Sequence, residues 1–344
     1  MAALTLPTVL ALFAGAPPCR AAAAIPTPDQ ASERTPAVYA QQLGTVSALS
    51  VRPDLYLLSV SGVNVALETG PDGVMVVDTG PAAAAPALLA AIRTLTHEGP
   101  IRYLVNTSAD QDRIGGDAVL AGAGEAFAPG VLGSDAPVIA HQNALLRLID
   151  HPGEHEPAEA LPSETFTRDV RSAYFNGQAV QVIWQPAAHT DGDSVVFFRR
   201  SDVLVTGALF DPRTFPVIDL AHGGSITGEI AALNFLLDRL TVAVTPLVDQ
   251  PGGTLVIPGA GPLCDQADLL NYRDMVTIIR DRIAALLAHG QTLEQVQAAD
   301  PTQGYASRYG AANGPASAHE FVATVYRSLQ AQRAHGFAQP AASP

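Results

Sequence analysis

The stretch from Asp54 to Gly80 restricts the possible folds more than any other part of the chain. Residues 55–60 and 63–68 are two strand-like runs joined by Ser61-Gly62, and Pro71-Asp72-Gly73 turns the chain into the wholly apolar run 74–77, which ends at Asp78-Thr79-Gly80. Short apolar and alternating runs broken by Gly, Pro and Asp form strands that must bury a face. Residues 85–97 then have the pattern of a helix, with Pro86 in the first turn where its missing N–H is not needed. Residues 101–106 form a further buried strand, a polar loop follows, and Gly115-Gly116 opens another helix before a strand at 138–140 and a helix at 142–150. A second cycle has strands at 179–184, 194–198 and 202–206, a helix at 226–240 and a strand at 254–258. Helices at 265–289, 292–299 and 318–334 close the chain. Strands followed by helices, twice over, predict two sheets packed face to face with helices outside.

The apolar run 4–16, followed by small residues at 21–24, has the pattern of a signal peptide cleaved near Ala24. It is too short and interrupted to span a bilayer, and no later segment is long and apolar enough to do so. The chain then divides into a leader at 1–24, a lead segment at 25–50, a main domain at 51–300, a C-terminal helical extension at 301–334 packed on it, and a tail at 335–344. The expected location is outside the cytoplasm, periplasmic or secreted. Cleavage would remove Cys19 and leave Cys264 alone, so neither a disulfide framework nor a thiolate zinc cluster is available. All 19 basic residues are Arg and 33 residues are acidic, giving a formal net charge of −14. An acidic chain without basic runs is poorly suited to phosphate backbones, which excludes nucleic acid as a partner. Nine His set the ceiling on metal chemistry, and their positions decide whether it is reached.

Five motifs occur in order: Asp78-Thr79-Gly80; the stretch from Asn106 to Asp117; the stretch from His189 to Val196; Thr206-Gly207-Ala208-Leu209-Phe210; and Ile257-Pro258-Gly259-Ala260-Gly261-Pro262. Together, over roughly Asp54 to Leu329, they resemble the metallo-β-lactamase fold superfamily, and in particular its exported metallo-hydrolases. The resemblance implies an α/β chain folded as a four-layer αβ/βα sandwich with a C-terminal helical extension. It also implies a dinuclear zinc site, in which a T-H-x-H-x-D-H loop, two further His and a bridging Asp hold the metals and a bound water becomes the nucleophile. On that pattern Ser108 and Asp110 stand where the first two His are expected, and Arg113 where the next one is. Ala208 replaces the bridging Asp and Ala260 the final His. Only Asp112 and His189 match, and the resemblance gives them to different metals.

Zinc binding is therefore expected to be lost, no other cofactor is expected, and these seven positions become a vestigial pocket. Arg113 is a permanent cation with no acceptor, placed where a dication would sit. It is expected to stand in for the metal charge by pairing with Asp110 or Asp112. Asp78 is expected to brace the neighbouring loop through hydrogen bonds, and His141 to open the following helix. His222 is either a replacement donor or a surface His at a helix start. His151 and His155 are separated by Pro152-Gly153, which breaks the helix that such a metal pair needs. Asp191 and Asp193 suit a turn, Ser194 lacks a Gly-x-Ser-x-Gly elbow, and Cys264 has the character of a buried hydrophobe. Three functions remain open. The first is a non-catalytic protein of this hydrolase superfamily with a small molecule in the former cleft. The second is an active hydrolase of an ester, lactam or related bond whose rearranged site of Asp110, Asp112, His189 and His222 binds one metal or works without one. The third is a partner-binding structural protein; fold alone does not choose among them.

Overall fold

The computed structural model of the chain describes residues 40–127, 134–150, 161–243 and 252–336. The leader with Cys19 and Ala24, the His151/His155 loop and the tail from 337 onward lie outside the described residues.

The first sheet begins earlier than Asp54. Ala40–Leu43 (β1) and Val46–Arg52 (β2) are joined at Gly44, whose φ of 63° suits a residue without Cβ. β2 pairs antiparallel with Leu55–Val60 (β3). Residues 40–50 therefore belong to the sheet, which corrects the placing of a lead segment at 25–50. Val46 and Ala48 point inward while Ser47 is exposed, a strand alternation masked in the sequence by Gln and Ser. β3 turns through Ser61 and Gly62, both at positive φ (50° and 88°), into Val63–Gly70 (β4), which pairs with Gly73–Val77 (β5). Two left-handed residues match the twist of a tight hairpin.

Beyond β5 the sheet becomes parallel and needs crossovers. Ala85–Thr96 (α1) leads to Ile101–Val105 (β6). The short turn Gln111–Ile114 (α2) and Asp117–Ala123 (α3) lead on to Val138–His141 (β7). Gln142–Asp150 (α4) follows, and Glu164–Phe166 (β8) closes an eight-stranded sheet in the order β1 to β8. The second sheet starts at Val170–Phe175 (β9), earlier than the strand predicted at 179–184, and continues with Gln178–Trp184 (β10), Ser194–Phe198 (β11) and Val203–Val205 (β12). After Ile226–Phe235 (α5) come Leu255–Ile257 (β13) and Cys264–Asp265 (β14), in the order β14-β13-β12-β11-β10-β9.

Leu57, Met75, Val77 and Val105 of the first sheet meet Phe175, Val182, Phe198 and Val205 of the second in the central core. Outside the first sheet, Leu88 and Ile92 of α1 and Leu120 of α3 pack on its other face. Outside the second sheet lie Leu233 of α5, Tyr272 and Ile279 of the long helix Gln266–Ala288 (α6), and Phe321 and Val325 of Ala318–Gly336 (α9). Leu293–Ala298 (α7) and Ala306–Tyr309 (α8) connect α6 to α9. The result is a four-layer αβ/βα sandwich whose C-terminal helices share the outer core of the second sheet. Among the described residues no helix is long and apolar enough to cross a membrane.

Asn64 ties the halves together beside the site. Its backbone N–H donates to Gly259 O at 3.0 Å, and its Nδ2 donates to Pro258 O at 3.0 Å and Gly261 O at 2.9 Å. Asn64→Ala strands two buried carbonyls of the second half, which costs about 2 kcal/mol. We expect a lower urea midpoint at unchanged slope; a change below about 0.5 kcal/mol would show that the 258–261 loop is held by other contacts.

Candidate functional site

The site is built on the Asp78-Thr79-Gly80 turn at the end of β5. Asp78 sits at a φ of 61° and turns its carboxylate back onto the loop after β6. It accepts from the Thr107 backbone N–H at 2.9 Å and from Thr107 Oγ1 at 2.8 Å. The N–H groups of Thr79 and Gly80 both donate to Arg113 O, at 2.6 and 3.1 Å. Asp117 accepts from Thr79 Oγ1 at 2.7 Å and from Asn106 Nδ2 at 2.6 Å. Gly115 and Gly116 are required because a Cβ there would run into Ala82 N and Thr79 O respectively. The expected bracing role of Asp78 is thus seen directly, within a network that fixes the course of residues 106–117.

On this loop Ser108 Oγ donates to Asp110 Oδ2 at 2.9 Å. The same oxygen faces His189 Nε2 at 2.9 Å, while Asp110 Oδ1 accepts from Arg147 Nη2 at 3.2 Å. His189 comes from the loop after β10, and its Nδ1 donates to Val217 O at 2.7 Å. Burial works against charge on His189, but the hydrogen bond to Asp110 and its negative charge override this and raise the imidazole to about 10. Burial likewise opposes the Asp110 carboxylate, yet His189, Arg147 and Ser108 hold it well below the usual carboxylate range. The pair is an imidazolium–carboxylate contact across neutral pH. Arg147 of α4 also lies 3.6 Å from Asp219 Oδ2, whose carboxylate meets His222 Nδ1 at 2.6 Å. A chain of alternating charges therefore runs His189, Asp110, Arg147, Asp219, and His222 makes a hydrogen-bonded contact with its far end.

Arg113 is placed differently from expectation. It pairs with neither Asp110 nor Asp112. The helical turn α2 directs it inward, where Nη1 donates to Gly259 O at 3.1 Å and lies 3.7 Å from Asp78 Oδ2, while Asp112 on the same turn is exposed. Burial raises Asp78 to about 6, against the opposing effects of Arg113 and of the Thr107 hydrogen bonds. Burial also raises Asp193 to about 6; it accepts from Thr190 N at 2.6 Å and Thr190 Oγ1 at 2.8 Å, the turn role expected of it. Glu229 of α5 is fully buried with neither carboxylate oxygen hydrogen-bonded, and burial, reinforced by Asp193, pushes it well above the usual range.

Asp110, Asp112, Arg113, His189 and Ala208 line one cavity of about 350 Å³. Ser108 is buried behind Asp110, and Ala260 is buried away from the cavity wall. His222 lies on a short helical turn at Leu220–His222, bonded to Asp219 and off the wall. His141 ends β7, where its Nδ1 accepts from Asn143 N at 3.3 Å at the start of α4 and its ring stacks on Trp184 at 4.5 Å. Cys264 is buried, and burial, with the nearby acidic residues, pushes its thiol up to about 12. Arg147, Asp219 and Glu229 escaped the sequence reading. Their partners lie on other elements, and no local motif marks them. Among the described residues, no group of three or more His, Cys, Asp or Glu comes together in a way that could hold a metal ion.

Known proteins share this fold. The family model described as the metallo-beta-lactamase superfamily matches residues 58–245. The stereoselective inverting sec-alkylsulfatase Pisa1 from Pseudomonas sp. is similar in structure, with a TM-score of 0.56 and 15% identity over 81% of this chain and 49% of that one. A metallo-beta-lactamase from Pontibacter korlensis gives a TM-score of 0.50 and 18% identity over 70% of this chain and 98% of that one. The DIM-1 metallo-beta-lactamase exposed to ceftazidime gives 0.52 and 18% over 69% and 99%. The chain spans about half the length of the alkylsulfatases it matches. At these identities the likeness is one of fold. No curated protein matches by sequence.

Replacing Arg113 by Met leaves Asp78 buried without its cation. Below its pKa Asp78 is neutral and needs no counter-charge, so the loss should be small at pH 5 and reach about 2–3 kcal/mol at pH 8. Denaturation of both proteins at the two pH values checks this. An equal loss at both would mean that the side chain acts through packing alone.

Proposed function

We propose, since this chain belongs to the metallo-beta-lactamase superfamily, that it is a member whose zinc site has given way to a closed set of ion pairs. On this reading the cleft is a ligand-binding pocket without hydrolytic chemistry. The family typically uses zinc, and the residues present do not fit it. The observation that carries the reading is the 2.9 Å contact between His189 and Asp110. With Nδ1 donating to Val217 O and Nε2 to Asp110, neither imidazole nitrogen keeps a lone pair for a metal or a proton. Asp110, the donor that could have raised the ligand count, is taken up by His189, Arg147 and Ser108. The fixed cation of Arg113, also on the cavity wall, repels a dication.

A metal-free hydrolase is not favoured by the same contacts. A hydroxyl nucleophile needs an effective base at its oxygen, but Ser108 Oγ donates to Asp110, whose carboxylate is held well below the usual range and is a poor base, and it has no hydrogen bond to His189. An imidazole that titrates near 10 holds its proton at neutral pH and is a weak base for catalysis. Glu229, fully buried, has no route to the cavity in the hydrogen-bond network of the described residues.

Elemental analysis of protein purified without chelator tests the reading. We expect zinc, iron and manganese each well below one equivalent, and no hydrolysis of ester, lactam or alkyl sulfate substrates above background. About one equivalent of metal, with turnover that a chelator abolishes and the metal restores, would contradict it.

A further inference from the structure

Each sheet ends in two edge strands, and among the described residues three of these are short. β1 has 4 residues, β8 has 3 and β14 has 2, whereas β9 has 6. Unpaired N–H and C=O groups on an edge template pairing with another chain, so proteins blunt such edges with short strands, Pro, Lys or bulges. β9 reads Val170-Arg171-Ser172-Ala173-Tyr174-Phe175, with no Pro or Lys, and pairs with β10 in an unbroken register.

The direction of its backbone groups follows from the turn into β10. Asn176 and Gly177, at φ of 48° and 76°, form a two-residue hairpin turn closed by Phe175 and Gln178. The closing pair of such a turn is hydrogen-bonded, and bonded and non-bonded pairs alternate along an antiparallel ladder. Phe175, Ala173 and Arg171 therefore direct their N–H and C=O groups to β10, and Trp184 N donating to Asp169 O at 2.8 Å continues the series. The groups of Val170, Ser172 and Tyr174 face the open side, where no strand among the described residues pairs with them.

The side chains of these three residues share the outer face of the sheet. Val170 lies opposite Ile183, which belongs to the core beneath the helices. Tyr174 is 78% exposed, Val170 39%, and Ser172 is exposed as well. Beside Val170 a cavity of about 480 Å³ opens between the sheet and α5, lined by Val170, Ile183, Trp184, Pro186, Ala231 and Phe235. It lies within the size range that holds small organic groups, about 300–1,000 Å³. One strand thus carries a large exposed aromatic side chain and, four residues earlier, the rim of an apolar cavity.

We propose that β9 pairs antiparallel with β9 of a second copy about a twofold axis at Ser172, joining the two six-stranded sheets into one. Residues 170, 172 and 174 offer the free backbone groups, so Ser172 meets the partner's Ser172, and Val170 meets the partner's Tyr174 in both senses. These pairs exchange about six hydrogen bonds in all. Directly opposed residues share a face, so the partner's Tyr174 stands over Val170 at the mouth of the cavity. The apolar wall receives its ring, and Asp169 and Gln185 in the same lining offer polar partners for its hydroxyl. Moving the axis to Arg171 or Ala173 loses one of the pairs and no longer sets Tyr174 against Val170. Anchor and cavity therefore recur on both copies, as an isologous interface requires. One strand edge with its two anchors buries less than about 1,200 Å², the range of weak and reversible association.

Sedimentation velocity of the full chain from about 2 to about 200 μM tests this, since small interfaces associate in the micromolar range. Salt at about 0.15 M screens the repulsion between two chains of formal net charge −14. We expect a concentration-dependent monomer–dimer equilibrium. Tyr174→Ala should weaken it at least about tenfold. The same variant should keep the melting temperature of the dilute protein, because the ring is exposed in the single chain. Ser172→Pro removes an N–H that faces the open side and should abolish the dimer; if that variant does not fold, Tyr174→Ala decides. A monomer over the whole range leaves the edge to another occupant and overturns the proposal. A dimer that persists at parental strength in Tyr174→Ala, or in folded Ser172→Pro, uses another surface and overturns it too.

Discussion

His189, buried, and Asp110, partly buried, meet at 2.9 Å on the wall of the cleft, and the chemistry of the cleft follows from that contact. A buried ion pair survives only if the remaining lone pairs and protons of both partners are also satisfied. Here they are: Ser108 and Arg147 complete the carboxylate, and Val217 O takes the second imidazole proton. The partners come from opposite halves of the sandwich, one after β6 and the other after β10. The contact therefore joins the halves at the position where the family's metals would do so. In such a site the same atoms cannot both close the ion pair and coordinate a metal.

Arg113 extends the same logic to the other side of the cavity. Its cation does not neutralise the acidic residues of its own loop; it reaches inward to Asp78 and to the carbonyl of Gly259. The space left for it is defined by the backbone, since a Cβ at Gly259 would collide with Gly207 O and lie 2.5 Å from Arg113 Nη2. Asn64 holds the same 258–261 loop from β4. Guanidinium, glycine and asparagine thus form one support, and the alanine at 260, where the family pattern has its last His, lies within it. With Arg113 turned inward, Asp112 on the same turn is left exposed.

Much of the frame was legible in the chain. The Ser61-Gly62 hairpin, the helix starting at Ala85 with its early Pro86, and the Gly115-Gly116 entry to α3 all depend on local backbone chemistry. The strands that escaped notice are those where burial is partial. β2 keeps Val46 and Ala48 inside but carries Ser on its other face, and β9 is an edge strand with Tyr174 and Val170 exposed. Within the site, the roles of Asp78 and Asp193 could be read from short turns, because their hydrogen-bond partners Thr107 and Thr190 lie on the motifs themselves. The pairing of Arg113 could not, because one helical turn decides whether residue 112 or 113 faces inward. Arg147, Asp219 and Glu229 were invisible for a related reason: Arg147 finds Asp110 37 positions away, and only the packed fold brings them together.

The protonation state of His189 tests this account most directly. Nitrogen-detected NMR of the histidine rings, with His189→Gln to assign the signal, reads both ring nitrogens of this side chain in the intact protein. The account predicts an imidazolium protonated on both nitrogens at pH 7 and losing its proton only near 10. A neutral ring titrating near 6.5, with one nitrogen free to accept, would contradict it.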